Sequence, residues 1–435
     1  MKRYALTALL FSASVLTAQV TSNWTGGGDG SDFFDTLNWD NGVPTFQDTA
    51  NFGSIADGSF INFSSGDIDV AGLEINTLGL DGGVTLSGEN AVFINNHASV
   101  NGGGIFADGF DKLVDIGFEA DFEIFGTDDF TFTGRDIQNN GTFTLSGTNQ
   151  VTLSNSTFNN LGSLLIENSA NLFNDGNGLL NNTGGDIVYD APGSIAVGWD
   201  VVNDNGRVAA VQGKLGFQGP YQQDNGDTVV ANFAEIAFHG TTVFNSGRIL
   251  GEGLLNNNTG SAIDVFATFV DAMGNPEAHI INGDPQMPGK LTFSGDYTFD
   301  ENTVFFFDIM GPGSTEYDQV EFVSGLADFN AGPDIIIYGD ASIKSTVTSV
   351  DLFDIVTGDY VGIFSTLSEG SQIFVFNNDP LGSPLLGTFD IFYTTGAIQL
   401  GNFTPVPEPQ TWALIGLGAG LIGLWARRRF VRKAA

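Results

Sequence analysis

Seven polar turns recur along the middle of the chain at an interval near 21 residues, and that interval restricts the fold more than any other feature. They are Asn139-Asn140-Gly141, Asn159-Asn160-Leu161-Gly162, Asn181-Asn182-Thr183-Gly184, Asp204-Asn205-Gly206, Asp224-Asn225-Gly226, Asn245-Ser246-Gly247 and Asn256-Asn257-Asn258-Thr259-Gly260. Most spacings are 20 to 23 residues and the last is shorter. A short apolar segment follows each turn, such as Ser163-Leu164-Leu165-Ile166-Glu167 or Arg248-Ile249-Leu250. One such unit cannot close a core alone, whereas stacked copies share one. About 21 residues supply two or three short strands with Asn/Gly corners, enough for one coil of a right-handed parallel β-helix. Coils rise about 4.8 Å each, so residues 139–260 predict roughly 25 to 30 Å of stack. Asn side chains at equivalent corners are placed to form ladders. Asn-Gly is also a strong hairpin signal, so a β-sandwich or a run of hairpins competes, but hairpins require no fixed turn interval.

Alternation supports strands throughout. Gly141-Thr142-Phe143-Thr144-Leu145-Ser146 and Asp121-Phe122-Glu123-Ile124-Phe125 have a period of two. Asn302 to Ile309 is similar but locally continuous, and no sustained helical stripe appears between the termini. The expectation is an all-β chain. With 59 Gly for tight corners and 39 Phe for a core, it has the material for a folded solenoid rather than a disordered acidic coil. There is no Cys, so packing and backbone pairing must supply the stability.

Charge limits the partners. Fifty-one acidic residues face 14 basic ones, and seven of the 14 lie in the terminal segments. Only Lys112, Arg135, Arg207, Lys214, Arg248, Lys290 and Lys344 are spread through the body. Such a surface repels nucleic-acid phosphate and anionic lipid, which excludes nucleic acid as a partner.

The termini read as sorting devices. Lys2 and Arg3 precede the apolar run Tyr4 to Val15, the charged and apolar parts of a signal peptide over 1–22, with cleavage after Ala18 or Ser22. At the other end Pro405-Val406-Pro407-Glu408-Pro409 leads into the apolar run 411–426 and then Arg427, Arg428, Arg429, Arg432 and Lys433. Sixteen residues fall short of the usual span of about 20, and Phe430 with snorkelling arginines extends the run toward the interface. A flanking N-terminal signal helix and a C-terminal transmembrane helix are therefore expected, with the basic tail cytoplasmic.

The order of proline-glutamate-proline, apolar span and arginine cluster over 405–433 closely resembles the PEP-CTERM sorting signal of Gram-negative environmental bacteria. The resemblance implies export through the inner membrane to the envelope, surface or exterior. It also implies a membrane-embedded exosortase, a cysteine transpeptidase or protease, as partner. Carried over by position, Pro407, Glu408 and Pro409 form the recognised triplet, a substrate site and not an active site. Residues 23–66 contain Trp24-Thr25-Gly26-Gly27-Gly28, Asn38-Trp39-Asp40-Asn41-Gly42-Val43-Pro44 and Asp48-Thr49-Ala50-Asn51-Phe52. They resemble the opening of autotransporter-passenger-like β-helix proteins and suggest a cap whose aromatics cover the first coil. Coils are expected over 67–286, punctuated by Pro285 to Gly289. Residues 287–402 either continue the coils or form a β-rich cap; they also resemble late passenger coils, without the outer-membrane barrel that follows in those proteins.

Candidate chemistry is sparse. His97, His239 and His279 lack partners at metal-site spacing, and no G-x-S-x-G, H-E-x-x-H or phosphate-binding glycine loop occurs. Carboxylates at Asp128-Asp129, or Asp115 with Glu119 and Asp121, are candidates for a glycosidase pair. Lys112, Arg135, Arg207 and Lys214 are the basic residues a lyase would need. No cofactor is expected except weak calcium at Asp29, Asp32 and Asp35, which put oxygens in a glycine-rich loop without the EF-hand spacing. The expected function is a non-enzymatic structural or adhesive protein of a biofilm or exopolysaccharide layer. A polysaccharide-degrading enzyme, hydrolase or lyase, on the same scaffold is the alternative, marked by two carboxylates about 5 to 10 Å apart in a shallow groove.

Overall fold

The computed structural model describes residues 19–53, 59–76, 84–101, 103–106, 112–148, 150–168, 171–174, 177–266, 268–271, 288–311, 313, 316–339, 343, 349–364, 367–377 and 385–406. The expected signal helix and transmembrane helix lie outside the described residues. Among the described residues the single helical element is one 3-10 turn, Thr36–Asn38, and none is long and apolar enough to cross a membrane. The chain is an all-β solenoid divided into two compact units, 1–181 and 182–435.

In the first unit strands pile in parallel register at the predicted interval. Ile137 sits beside Phe158, Phe143 beside Leu164 and Val151 beside Leu172, each pair 21 residues apart. One coil is therefore Arg135–Asn139, Thr142–Leu145 and Gln150–Ser154, three strands separated by corners. Alternation decides which side chains enter the shaft. Phe143 and Leu145 are buried while Thr142 and Thr144 face outward. Phe122 and Phe143, in register on adjacent coils, stack with centroids 4.9 Å apart and planes 4° from parallel. Buried Phe→Ala changes typically cost about 3–5 kcal/mol, so repeated aromatic contacts of this kind carry much of the core.

An aromatic cluster lies near the N-terminal end of the described residues. Trp24, Phe33, Trp39 and Phe52 are buried against one another, with Trp24 and Trp39 edge to face at 5.1 Å. The Trp39 indole N–H donates to Phe33 O at 2.7 Å, so this buried donor has its acceptor.

In the second unit Asp186–Val197 pairs in parallel with Gly206–Phe217, which pairs with Gly226–Val230 and Glu235–Phe238. Beyond residue 287 the described strands pair in two ways. Leu254–Asn257, Lys290–Ser294, Gln319–Ser324 and Ser349–Ile355 continue the parallel stack. Leu385–Tyr393 and Ala397–Pro405 then pair antiparallel with each other, and with Gln372–Asn377 and Ser349–Ile355 respectively. Parallel addition would leave a row of unpaired N–H and C=O groups at the last coil, and the antiparallel strands occupy it.

The corner asparagines form the expected ladders, and they point inward. Asn139 Nδ2 donates to Asn160 Oδ1 at 2.8 Å in the first unit. In the second, Asn182 Nδ2 donates to Asn203 Oδ1 at 2.8 Å and Asn203 Nδ2 to Gln223 Oε1 at 3.4 Å. All five are fully buried.

Candidate functional site

The acidic turn at Asp29, Asp32 and Asp35 is built from backbone donors. Asp29 Oδ1 accepts from Ser31 N, Asp32 N and Asn38 Nδ2 at 2.8–2.9 Å. Those bonds, led by the Ser31 amide, lower its carboxyl to about 2. Asp32 Oδ1 takes the Phe34 amide, and Asp35 caps the 3-10 turn through Leu37 N. Among the described residues no group of three or more His, Cys, Asp or Glu is placed to hold a metal ion.

His97 does have carboxylate neighbours, which the spacing hid because they come from adjacent coils. Its Nε2 lies 3.5 Å from Glu74 Oε1, and His97 is in register with Asp121. His239 lies beyond the strand Glu235–Phe238 and its amide pairs with Phe217 O, while His279 is outside the described residues. Asp115 accepts from Asn140 Nδ2 at 2.9 Å and Asp129 from Gln150 N at 2.9 Å, as cross-coil braces. Glu119 occupies a left-handed corner at φ 65°.

Among the described residues the body's basic side chains have partners. Lys112 faces Glu89 at 3.7 Å, Lys214 faces Glu235 at 2.7 Å and Lys290 faces Glu321 at 2.8 Å. Arg135 is fully buried, donating to Gly88 O and Asn90 O with its guanidinium 4.9 Å over the Phe63 ring. It is a strap across coils, and its burial lowers its pKa to about 10. Lys344 lies outside the described residues.

A concave site appears at one corner of the second unit. Gly184, Asn205-Gly206, Asn225-Gly226 and Ser246-Gly247 edge a groove of about 500 Å³, lined also by Asp186, Arg207, Asp227 and Arg248. The floor is glycine for a physical reason. Gly226 and Gly247 both have φ 94°, and a Cβ on either would collide with the carbonyl oxygen of the glycine one coil below. Just beyond each corner one charged residue faces out, and parallel register stacks them as Asp186, Arg207, Asp227 and Arg248. Signs alternate at about 4.8 Å per coil, the arrangement that opposite-charge neighbours favour.

The two ion pairs differ. Arg248 grips Asp227 with Nε and Nη2 at 2.7 and 2.6 Å, a two-pronged fork. Arg207 reaches Asp186 through Nη2 alone at 2.9 Å, and its buried Nε–H has no acceptor. Burial pushes the Asp186 carboxyl above its ordinary value, Arg207 opposes that push, and Asp227 adds a smaller upward one. Of this column the sequence marks only Arg207 as a candidate for chemistry. The missed signal is that Asp, Arg, Asp and Arg follow Gly185, Gly206, Gly226 and Gly247 in four successive repeats.

The triplet Pro407, Glu408 and Pro409 lies outside the described residues. What precedes it is well placed: Pro405 ends the last strand, and Val406 N donates to Leu386 O at 2.8 Å. No curated protein and no solved structure matches the chain. Residues 405–430 match the family model of the PEP-CTERM protein-sorting motif. That motif, carried on a β-solenoid body, marks an exported surface protein that an exosortase sorts to the envelope or surface of a Gram-negative bacterium.

Proposed function

We propose that this protein is a non-enzymatic structural or adhesive component of an extracellular matrix, biofilm or exopolysaccharide layer. The single observation that carries the reading is the sorting motif joined directly to the last strand of a parallel solenoid. A stack of coils presents its outer side chains at a fixed step, which suits a surface that contacts a repetitive polymer at many points. Likeness of residues 23–66 to passenger-like openings fits the same reading. Fractionation tests it: the mature protein is expected with the envelope or matrix polysaccharide, and a fully soluble periplasmic distribution would sink the proposal. Changing Glu408 to Ala is expected to leave the C-terminal segment on the chain, read by intact mass.

One observation favours the enzymatic alternative. Asp186 and Asp227 share a groove, two coil steps apart, about 9–10 Å of backbone separation, within reach of the carboxylate spacing of inverting glycosidases. Against it, each carboxylate is engaged by a guanidinium, which points it at its partner and away from a substrate. Release of reducing ends from a polysaccharide panel, abolished by Asp227→Asn, would reverse this preference.

A further inference from the structure

We infer that the corner groove of the second unit binds an uncharged, hydroxyl-rich glycan strand laid across successive coils. This deepens the matrix reading and rests on it.

Three features of the groove select that ligand class. The first is charge. The chain carries a formal net charge of -37, yet the groove column holds two Asp and two Arg. An anionic glycan must approach against the field of the whole protein, while a neutral one meets a locally balanced surface. The second is hydrogen-bonding chemistry. A sugar hydroxyl both donates and accepts, and the lining holds both kinds of group: carboxylates at Asp186 and Asp227, guanidinium N–H at Arg207 and Arg248, and the Oδ1 of Asn225, whose Nδ2 is given to Asn205 Oδ1 at 2.6 Å. The third is the half-used fork. Arg207 Nε–H is left without an acceptor, which costs about 1–3 kcal/mol for a buried donor. A small turn of that guanidinium presents Nε and Nη together to one ligand oxygen pair while the Nη2 contact to Asp186 pivots. Arg248, with its fork closed on Asp227, marks what the saturated arrangement looks like one pair along.

The geometry matches a polymer. The lining repeats every coil, at about 4.8 Å, close to the length one pyranose adds to an extended glycan. Four coils contribute, through Asp186, Arg207, Asp227 and Arg248.

The test is calorimetric titration of the purified exported chain with uncharged linear hexasaccharides of glucose, mannose and galactose, alongside uronate oligomers of the same length. At least one neutral oligomer is expected to bind with an affinity little changed between low and high salt. Arg207→Lys keeps a cation beside Asp186 but removes the fork, and is expected to weaken binding at least tenfold. Gly184→Asn is the second variant. Gly184 has φ +77° with open space around the position of a Cβ, and Asn tolerates that backbone, so the side chain intrudes on the groove without disturbing the fold. Binding should be lost with the melting temperature unchanged. The inference is overturned if no neutral oligomer binds, if uronates bind more tightly than every neutral oligomer, or if both variants bind like the parent. Co-fractionation with exopolysaccharide is scored separately, so a groove that fails to bind on a protein still held in the matrix refutes this site and leaves the matrix reading standing.

Discussion

Replacing Asn203 with Ala tests whether the inward ladder or the outer surface holds the coils in register. Asn203 is fully buried, and its Oδ1 accepts from Asn182 Nδ2 at 2.8 Å. Its Nδ2 donates to Gln223 Oε1 at 3.4 Å and to Asp227 O at 3.3 Å. The short bond contributes about 1 kcal/mol net, and withdrawing the acceptor that Asn182 uses adds a desolvation cost of about 1–3 kcal/mol. The two long bonds add little. Gln223 Oε1 retains Thr228 Oγ1 at 2.6 Å, which limits the damage on that side. The sum is about 2–4 kcal/mol. Urea titration of the purified exported chain, followed by circular dichroism, should show a lower midpoint for Asn203→Ala with an unchanged slope. The outward Asn245, whose Nδ2 meets Asp224 Oδ1 at 2.8 Å on the exposed side of a corner, is the control. Asn245→Ala should cost under about 0.5 kcal/mol. Combining Asn182→Leu with Asn203→Leu should cost less than the two single changes together, because each single change strands a partner that the pair removes. Equal losses for Asn203→Ala and Asn245→Ala, or strict additivity of the double change, would refute the account.

Other consequences follow from particular side chains. Arg135→Met leaves Gly88 O and Asn90 O without this donor, about 1–3 kcal/mol for each buried carbonyl, and should lower stability by about 2–4 kcal/mol, read as a fall in melting temperature. Phe233 is 95% exposed at φ 65°, so Phe233→Gly relieves backbone strain at no packing loss and should raise stability by about 0.5–1 kcal/mol in the same melt. Asp29 has its carboxyl lowered from 3.8 to about 2 in the folded chain, so its contribution is present above 3.8 and is lost as pH falls through 2. An NMR titration of the Asp29 carboxyl carbon with a midpoint near 3.8 would contradict the bonding described for that turn.

Much of this architecture was legible because a coil is a local object. The 21-residue interval, the inward Phe143 and Leu145 and the ladder-forming Asn139 and Asn160 follow from patterns within one or two repeats. Sequence distance misled where coils meet. His97 and Glu74 are 23 positions apart in the chain, and Arg135 reaches Gly88 and Asn90 across more than 40. The carboxylates considered at Asp115 and Asp129 are occupied by Asn140 and Gln150 from the next coil.

The sequence by itself determined that the chain is all-β, that it repeats as a stack, and that it carries a sorting motif at 405–430. Composition, periodicity and a contiguous motif need no knowledge of who neighbours whom. Only the tertiary structure decided the register. Register brings Asp186, Arg207, Asp227 and Arg248 into one column, half-uses the Arg207 fork, and turns the last strands antiparallel. Parallel pairing converts a spacing of some 20 residues into a contact of about 4.8 Å, and a shift of a single residue would send each of those charges to the opposite face.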